Sequence, residues 1–250
     1  QRQMCIRDSL NGDGRHELSG GAIVDCDGRT LTGVPLDANG AGNHIDGVLI
    51  ANVLKDRTGP ELVVLEEGGE NRVFLNRYEG LVWESHCHHR QADYAAIGHF
   101  LPDEDNAQIW CRSAYDCPEP FVLNHRGEVI AEYEWSDTAA GTPFASGIHQ
   151  VQSIQWEPNG QHQLCGLGDD GDILLFDALN GKQFTQLPGK AKRIQVADIS
   201  GDPREEILAI SDEGLTIHHH PQRHCETCNR RLWEHPYYRA RKRYSSYYTG

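Results

Sequence analysis

No stretch of this sequence is apolar for long enough to cross a bilayer as a helix, which needs about 20 consecutive residues. Aromatic residues are sparse, at 8%, and there is a single methionine. Helical periodicity is missing too, apart from a short turn expected around Leu232 to Arg241, so helix bundles and coiled coils are excluded. Cations are in deficit: 23 Lys and Arg stand against 37 Asp and Glu, for a formal charge of −14. A chain of that sign is repelled by a phosphate backbone, which excludes general nucleic-acid binding. Much of the acidity sits in turn-like segments, and the stretch from Arg230 to Arg243 is basic. The eight cysteines are too dispersed for a small disulfide scaffold. Two close pairs, Cys111 with Cys117 and Cys225 with Cys228, suit a disulfide, a metal pair or two buried thiols. The sequence opens QRQMCIRDS, which resembles translated adapter read-through. Residues 1–8 are therefore set aside as a non-native leader, with further sequence and any export signal expected upstream.

What is present is a repeat. A turn, an acidic or amide residue and a short aliphatic run recur at Glu17-Leu18, Glu61-Leu62, Gln108-Ile109, Gln163-Leu164 and Glu206-Ile207, 43 to 55 residues apart. Another strand-like run precedes most copies: VLIANV, AAIGHF, VQSIQW and RIQVADI. Later in most units a polar-Gly pair (Asp27-Gly28, Glu79-Gly80, Arg126-Gly127, Asn180-Gly181) separates two further strands, supplying the positive φ of a tight hairpin. Each unit thus reads strand, acidic turn, strand, loop, strand, Gly hairpin, strand. That is one propeller blade, which cannot bury both faces alone and must stack on neighbours. The expected fold is an all-β β-propeller of four-stranded blades in one domain over 9–250, with blades near 9–43, 44–90, 91–147, 148–189 and 190–250. Five blades make a narrow ring, so the expectation is part of a ring of about seven or eight. A solenoid is the alternative, and a β-sandwich with similar turns the bland one.

Propeller geometry converts position into place. Residues entering each innermost strand, and the loop after each second strand, share one mouth. This gathers His44 and Asp46, His86, His88 and His89, His149, Lys190 and Lys192, then Glu66, Glu67 and Arg72, Arg112 and Tyr115, and Asp169 and Asp170. Taken singly, each is an ordinary solvated loop residue. Together they suit an anionic sugar, whose carboxylate an Arg grips with a planar fork. At the other end, Asp198, Ser200, Asp202 and Glu206 take positions 1, 3, 5 and 9 of a loop, as Ca²⁺ ligands do; Ser9, Asn11, Asp13 and Glu17 repeat the pattern. The alternative there is a plain Asx turn. Cys225 and Cys228 give one Cys-x-x-Cys, half of what Zn²⁺ needs, and a loop disulfide fits as well.

The turns NGDGRHEL and SGDPREEI look like FG-GAP (VCBS-type) propeller repeats. GNHIDGVLIANVLKDRTGPELVVLEEGGENRV and IWCRSAYD resemble bacterial rhamnogalacturonan lyase-like polysaccharide lyases, and RRLWEHPYYRARKRYSSYY resembles their closing segment; the likeness spans Leu10 to Gly250. It implies an extracellular or periplasmic protein holding Ca²⁺, expected to be structural, and acting on an acidic, uronate-containing polysaccharide by β-elimination; a monomer is expected. That chemistry needs a cation on the carboxylate, a base and an acid. By position and chemistry, Arg112 or Arg72 suits the first role, His44 or His149 the second, and Tyr115 the third, or the second if an Arg lowers its pKa. Asp46, Glu67, Arg72, His89 and Lys192 would bind substrate. The competing expectation is a non-catalytic FG-GAP propeller that binds carbohydrate or protein. Hydrolysis by paired carboxylates, with Glu66 or Glu67 as one partner, ranks last.

Overall fold

The computed structural model describes residues 6–8, 10–11, 15, 17–19, 22–33, 44–55, 59–67, 71–86, 92, 94–112, 119–134, 149–157, 159–168, 170–201, 204–222, 232–234, 238–239 and 242, with backbone alone at 6–8, 17–19, 32–33, 51, 67 and 149. These form five antiparallel sheets whose strands follow chain order. Blade 1 is β1 (Ile6–Asp8), β2 (Glu17–Ser19), β3 (Ala22–Val24) and β4 (Thr30–Gly33). Blade 2 is β5 (His44–Ala51), β6 (Glu61–Glu67), β7 (Arg72–Arg77) and β8 (Gly80–His86). Blade 3 is β9 (Tyr94–Gly98), β10 (Gln108–Arg112), β11 (Phe121–Leu123) and β12 (Val129–Glu132). Blade 4 is β13 (His149–Ile154), β14 (Gln163–Leu167), β15 (Ile173–Phe176) and β16 (Gln183–Leu187). Blade 5 is β17 (Arg193–Ala197), β18 (Glu206–Ser211) and β19 (Gly214–His218). Ile6–Asp8, set aside with the leader, pair antiparallel with β2 as the first strand of blade 1. Strand pairing uses backbone groups, so the side chains there do not decide it.

The repeated acidic or amide residue has a definite task. It opens the second strand, and one side-chain oxygen accepts two successive backbone N–H groups from the loop that follows the innermost strand. Gln108 Oε1 takes Phe100 N at 2.7 Å and Leu101 N at 3.0 Å. Gln163 Oε1 takes Trp156 N at 3.1 Å and Glu157 N at 3.2 Å. Glu61 Oε2 takes Val53 N at 2.8 Å and Leu54 N at 3.5 Å, and Glu206 Oε2 takes Ile199 N at 2.6 Å and Ser200 N at 3.1 Å. Acid and amide interchange because the shared oxygen does the clamping. The remaining atom differs: the amides donate Nε2 to a loop carbonyl (Asn106 O, Gln161 O), whereas Glu61 Oε1 meets Arg77 and Glu206 Oε1 faces His219. All four clamp residues are buried, and buried N–H groups demand such acceptors.

The clamp sets register, and register sets which side each residue faces. Leu62, Val64 and Phe74 pack with Ile23, Val48 and Ile50 in the core shared by blades 1 and 2. Val63, Leu65, Val73 and Leu75 point the other way, onto Ile97, Ile109, Phe121 and Leu123 of blade 3. Trp110 and Val122 meet Leu164, Leu174 and Phe176 of blade 4, whose Cys165, Ile173 and Leu175 meet Ile194, Val196 and Ile207 of blade 5. The cores are therefore interleaved between blades, not within them. Burial in them pushes the Cys165 thiol above its ordinary pKa, and Tyr133, whose hydroxyl accepts Trp110 Nε1 at 2.7 Å, likewise. Hairpins between third and fourth strands turn on Gly28 (φ 83°) and Gly127 (φ 80°).

Replacing Gln163 by Leu strands the Trp156 and Glu157 N–H groups, and urea denaturation should register a loss of about 2–4 kcal/mol. Gln163→Glu keeps the acceptor oxygen and should retain most of the stability.

Candidate binding face

The starts of β5, β9, β13 and β17 and the ends of β6, β10, β14 and β18 lie at one end of the stack, here called the entry end. In blade 2 the register shifts between Ile45 and Gly47, leaving Asp46 as the extra residue of a bulge. The bulge turns its carboxylate back on His44, with Nδ1 at 2.8 Å from Oδ1. The imidazole remains exposed. Beside this pair, Arg72 is held by Glu66 in a two-point fork, Nε to Oε2 at 2.8 Å and a terminal nitrogen to Oε1 at 3.1 Å. Its other terminal nitrogen lies 3.7 Å from Glu84, and Glu84 lies 3.4 Å from His86. Glu66 is completely buried and Arg72 nearly so.

In blade 3, Arg112 stands opposite Tyr94, its guanidinium 5.4 Å from the ring centre. It too is buried. Blade 4 reaches blade 5 through amides. Gln150, with φ 56° beside a register shift, donates to Lys192 O at 3.0 Å and accepts Ile194 N at 2.9 Å. Gln152 donates to Ile194 O and accepts Val196 N, both at 3.0 Å. Lys192 pairs with Asp212 at 2.5 Å on the surface.

His44, Asp46, Arg72, Arg112 and Lys192 thus all belong to strand ends at the entry end. His44 joins Asp46 directly, whereas Arg72, Arg112 and Lys192 each engage a different neighbour. Tyr115 and His89 lie outside the described residues, as do the side chains of Glu67 and His149. The sequence reading missed Glu66 as the partner of Arg72, and missed Gln150 and Gln152 altogether. A glutamine recurring on innermost strands, at Gln152 and Gln195, was the available signal.

The acidic turns lie at the opposite end. Asp198 is buried: Oδ1 accepts Gly201 N at 2.7 Å, Oδ2 accepts Leu232 N at 3.0 Å, and its carbonyl accepts Trp233 Nε1. Tyr238 completes the knot, its hydroxyl accepting Asp198 N at 2.7 Å and donating to Glu205 at 2.8 Å, where Lys242 also ends at 2.8 Å. Nearby His218 is held below the ordinary histidine range by desolvation and then by His219. Of the expected Ca²⁺ ligands, Asp198 and Glu206 face backbone N–H groups, Ser200 donates its N–H to Glu206, and Asn11 is exposed. Asp13, Asp202 and the Glu17 side chain lie outside the described residues, as do Cys225 and Cys228. Among the described residues no three His, Cys, Asp or Glu side chains converge as metal ligands.

No protein-family model matches the chain, and no curated protein matches it in sequence. Its likeness is to solved propellers. An Agrocybe aegerita lectin, described as specifically recognising non-reducing terminal N-acetylglucosamine, superposes with a TM-score of 0.58 at 14% identity, over 88% of this chain and 64% of the lectin. BBS1N, solved in complex with ARL6DN, superposes with a TM-score of 0.55 at 11% identity, over 90% of this chain and 65% of that one. The chain is therefore a β-propeller, spanning just under two thirds of the length of these two structures.

Arg72→Met would leave Glu66 buried without its cation and should cost about 3–5 kcal/mol in urea denaturation. Adding Glu66→Gln to that variant should recover much of the loss. A neutral Arg72→Met would show that the pair is not needed for folding.

Proposed function

We propose that this chain is a non-catalytic binding propeller whose entry end recognises carbohydrate. One observation carries the reading: two cations of the described entry end, Arg72 and Lys192, are already paired with carboxylates of their own blades. Arg72 is forked by Glu66, Arg112 lies buried along Tyr94, and Lys192 meets Asp212. A β-eliminating site needs a cation that is committed to the substrate carboxylate and strengthens its hold as charge develops. Pre-paired groups instead offer fixed donors and acceptors at little ordering cost, which suits recognition of hydroxyls. His44 is the accessible member of the His44–Asp46 pair: its imidazole is exposed and oriented by a largely buried carboxylate, and its outer ring nitrogen can meet a sugar hydroxyl. Propellers that bind carbohydrate or protein share the fold, which supports a binding role without naming the ligand.

Acidic polysaccharide remains the ligand class suggested by the sequence, and cleavage of it is the reading the test must separate. Titration calorimetry against neutral and uronate-containing oligosaccharides should show binding, weakened about tenfold by His44→Ala. Ultraviolet absorbance should stay flat during incubation with pectic polysaccharide. A rising absorbance from an unsaturated uronate would overturn the proposal in favour of a lyase, and absence of any glycan binding would overturn it in favour of a protein ligand.

A further inference from the structure

Each blade presents two different faces. Counting from the clamp residue, the first residue after it packs on the preceding blade and the second on the following one. The fourth shares the following side where it is aliphatic. Val63 and Leu65 of blade 2, and Cys165 and Leu167 of blade 4, occupy these forward positions. The third strand extends the same face: Leu75 and Val73 stand opposite Val63 and Leu65, and Leu175 and Ile173 opposite Cys165 and Leu167. All eight are buried beneath the next blade.

In blade 5 the forward positions are Leu208 and Ile210, opposite Ile217 and Leu215. They are as aliphatic as their counterparts, yet Ile210 is 49% exposed, Leu215 59% and Ile217 39%. A second, polar feature sits at the same register. In blade 4, Gln152 stands opposite Cys165 and clasps the backbone of the next innermost strand at Ile194 and Val196. In blade 5, Gln195 stands opposite Leu208, the equivalent place. Its amide is exposed and reaches the Val196 carbonyl of its own strand, at 3.4 Å.

We propose that this forward face of blade 5 is a blade-to-blade interface and that its occupant is one further four-stranded blade of the same repeat, continuing the ring. Its innermost strand would give Gln195 a backbone C=O and N–H, as β17 gives Gln152. Its clamp residue would be followed by an aliphatic side chain seated on Leu208, Ile210, Leu215 and Ile217. The argument is continuity: the interface between blades 4 and 5 joins the same four aliphatic positions and the same glutamine. A cluster of large aliphatic residues left exposed is itself a mark of an interaction surface. A glycan or a lipid surface would use the apolar strip without explaining the register of the amide.

The test supplies a blade to the forward face of blade 5 in the whole chain. A second copy of residues 149–187 is joined to the C-terminus through a flexible Gly/Ser linker, so that its backward face, with Leu164, Leu174 and Phe176, can seat on blade 5. Thermal unfolding should shift upward by about 4 °C or more, and binding of an apolar dye should fall. Gln195→Ala should diminish the shift and Ile210→Asp abolish it, as should Leu164→Asp within the added copy. No shift, or a shift that Ile210→Asp leaves intact, would overturn the proposal. The unextended chain gives a second reading: Leu167→Asp should destabilise it severely, while Ile210→Asp, at the equivalent position, should not. Equal destabilisation by both would overturn the proposal. So would a dimer that Ile210→Asp dissociates, because a second copy would then be the occupant.

Discussion

In each of blades 2 to 5 one buried oxygen accepts two consecutive backbone N–H groups, and this is the interaction on which the rest of the described propeller depends. Leaving an innermost strand, the chain must bend at the edge of an apolar core, where unpaired N–H groups would be costly. Glu61, Gln108, Gln163 and Glu206 remove that cost and tie the loop to the first residue of the second strand. Fixing that point fixes the pairing register. A slip of one residue would send every forward-facing side chain backward. The hydrophobic cores are shared between blades, so such a slip in one blade would spoil two interfaces at once.

The same logic builds the entry end. Strands held in register bring Glu66 beside Arg72 across the β6–β7 connection, and Tyr94 opposite Arg112. The bulge at Asp46 swings a carboxylate onto His44 without disturbing the ladder beyond it. Buried ion pairs of this kind contribute order more than stability, because desolvation offsets much of their attraction. The outcome is a polar surface whose groups are oriented before any ligand arrives.

The architecture was legible in the sequence because its signals are local. Gly after a polar residue at a hairpin, and an aliphatic run after a turn, each follow from backbone conformation within a few residues. The role of the anchor residue was not legible. A carboxylate at the ninth position of an acidic loop has the same spacing whether it binds an ion or the loop's own N–H groups. Asp198 shows the same ambiguity, and its pairing with Leu232 N and Trp233 spans a sequence separation that no motif encodes. Arg72 read as a ligand for a carboxylate, and a carboxylate does fill its fork, but it is Glu66 of the neighbouring strand. The glutamines joining β13 to β17 were invisible for a related reason: their partners are backbone atoms, which carry no sequence signature.

Amide hydrogen exchange tests the central role of the clamp most directly. The N–H groups of Phe100, Leu101, Trp156, Glu157, Ile199 and Ser200 lie in loops between strands, yet each donates to a clamp oxygen. The account predicts that they exchange as slowly as the strand amides beside them, and that Gln108→Leu accelerates Phe100 and Leu101 ahead of the other clamped pairs. Exchange of these six at the rate of open loop amides in the unsubstituted protein would contradict it.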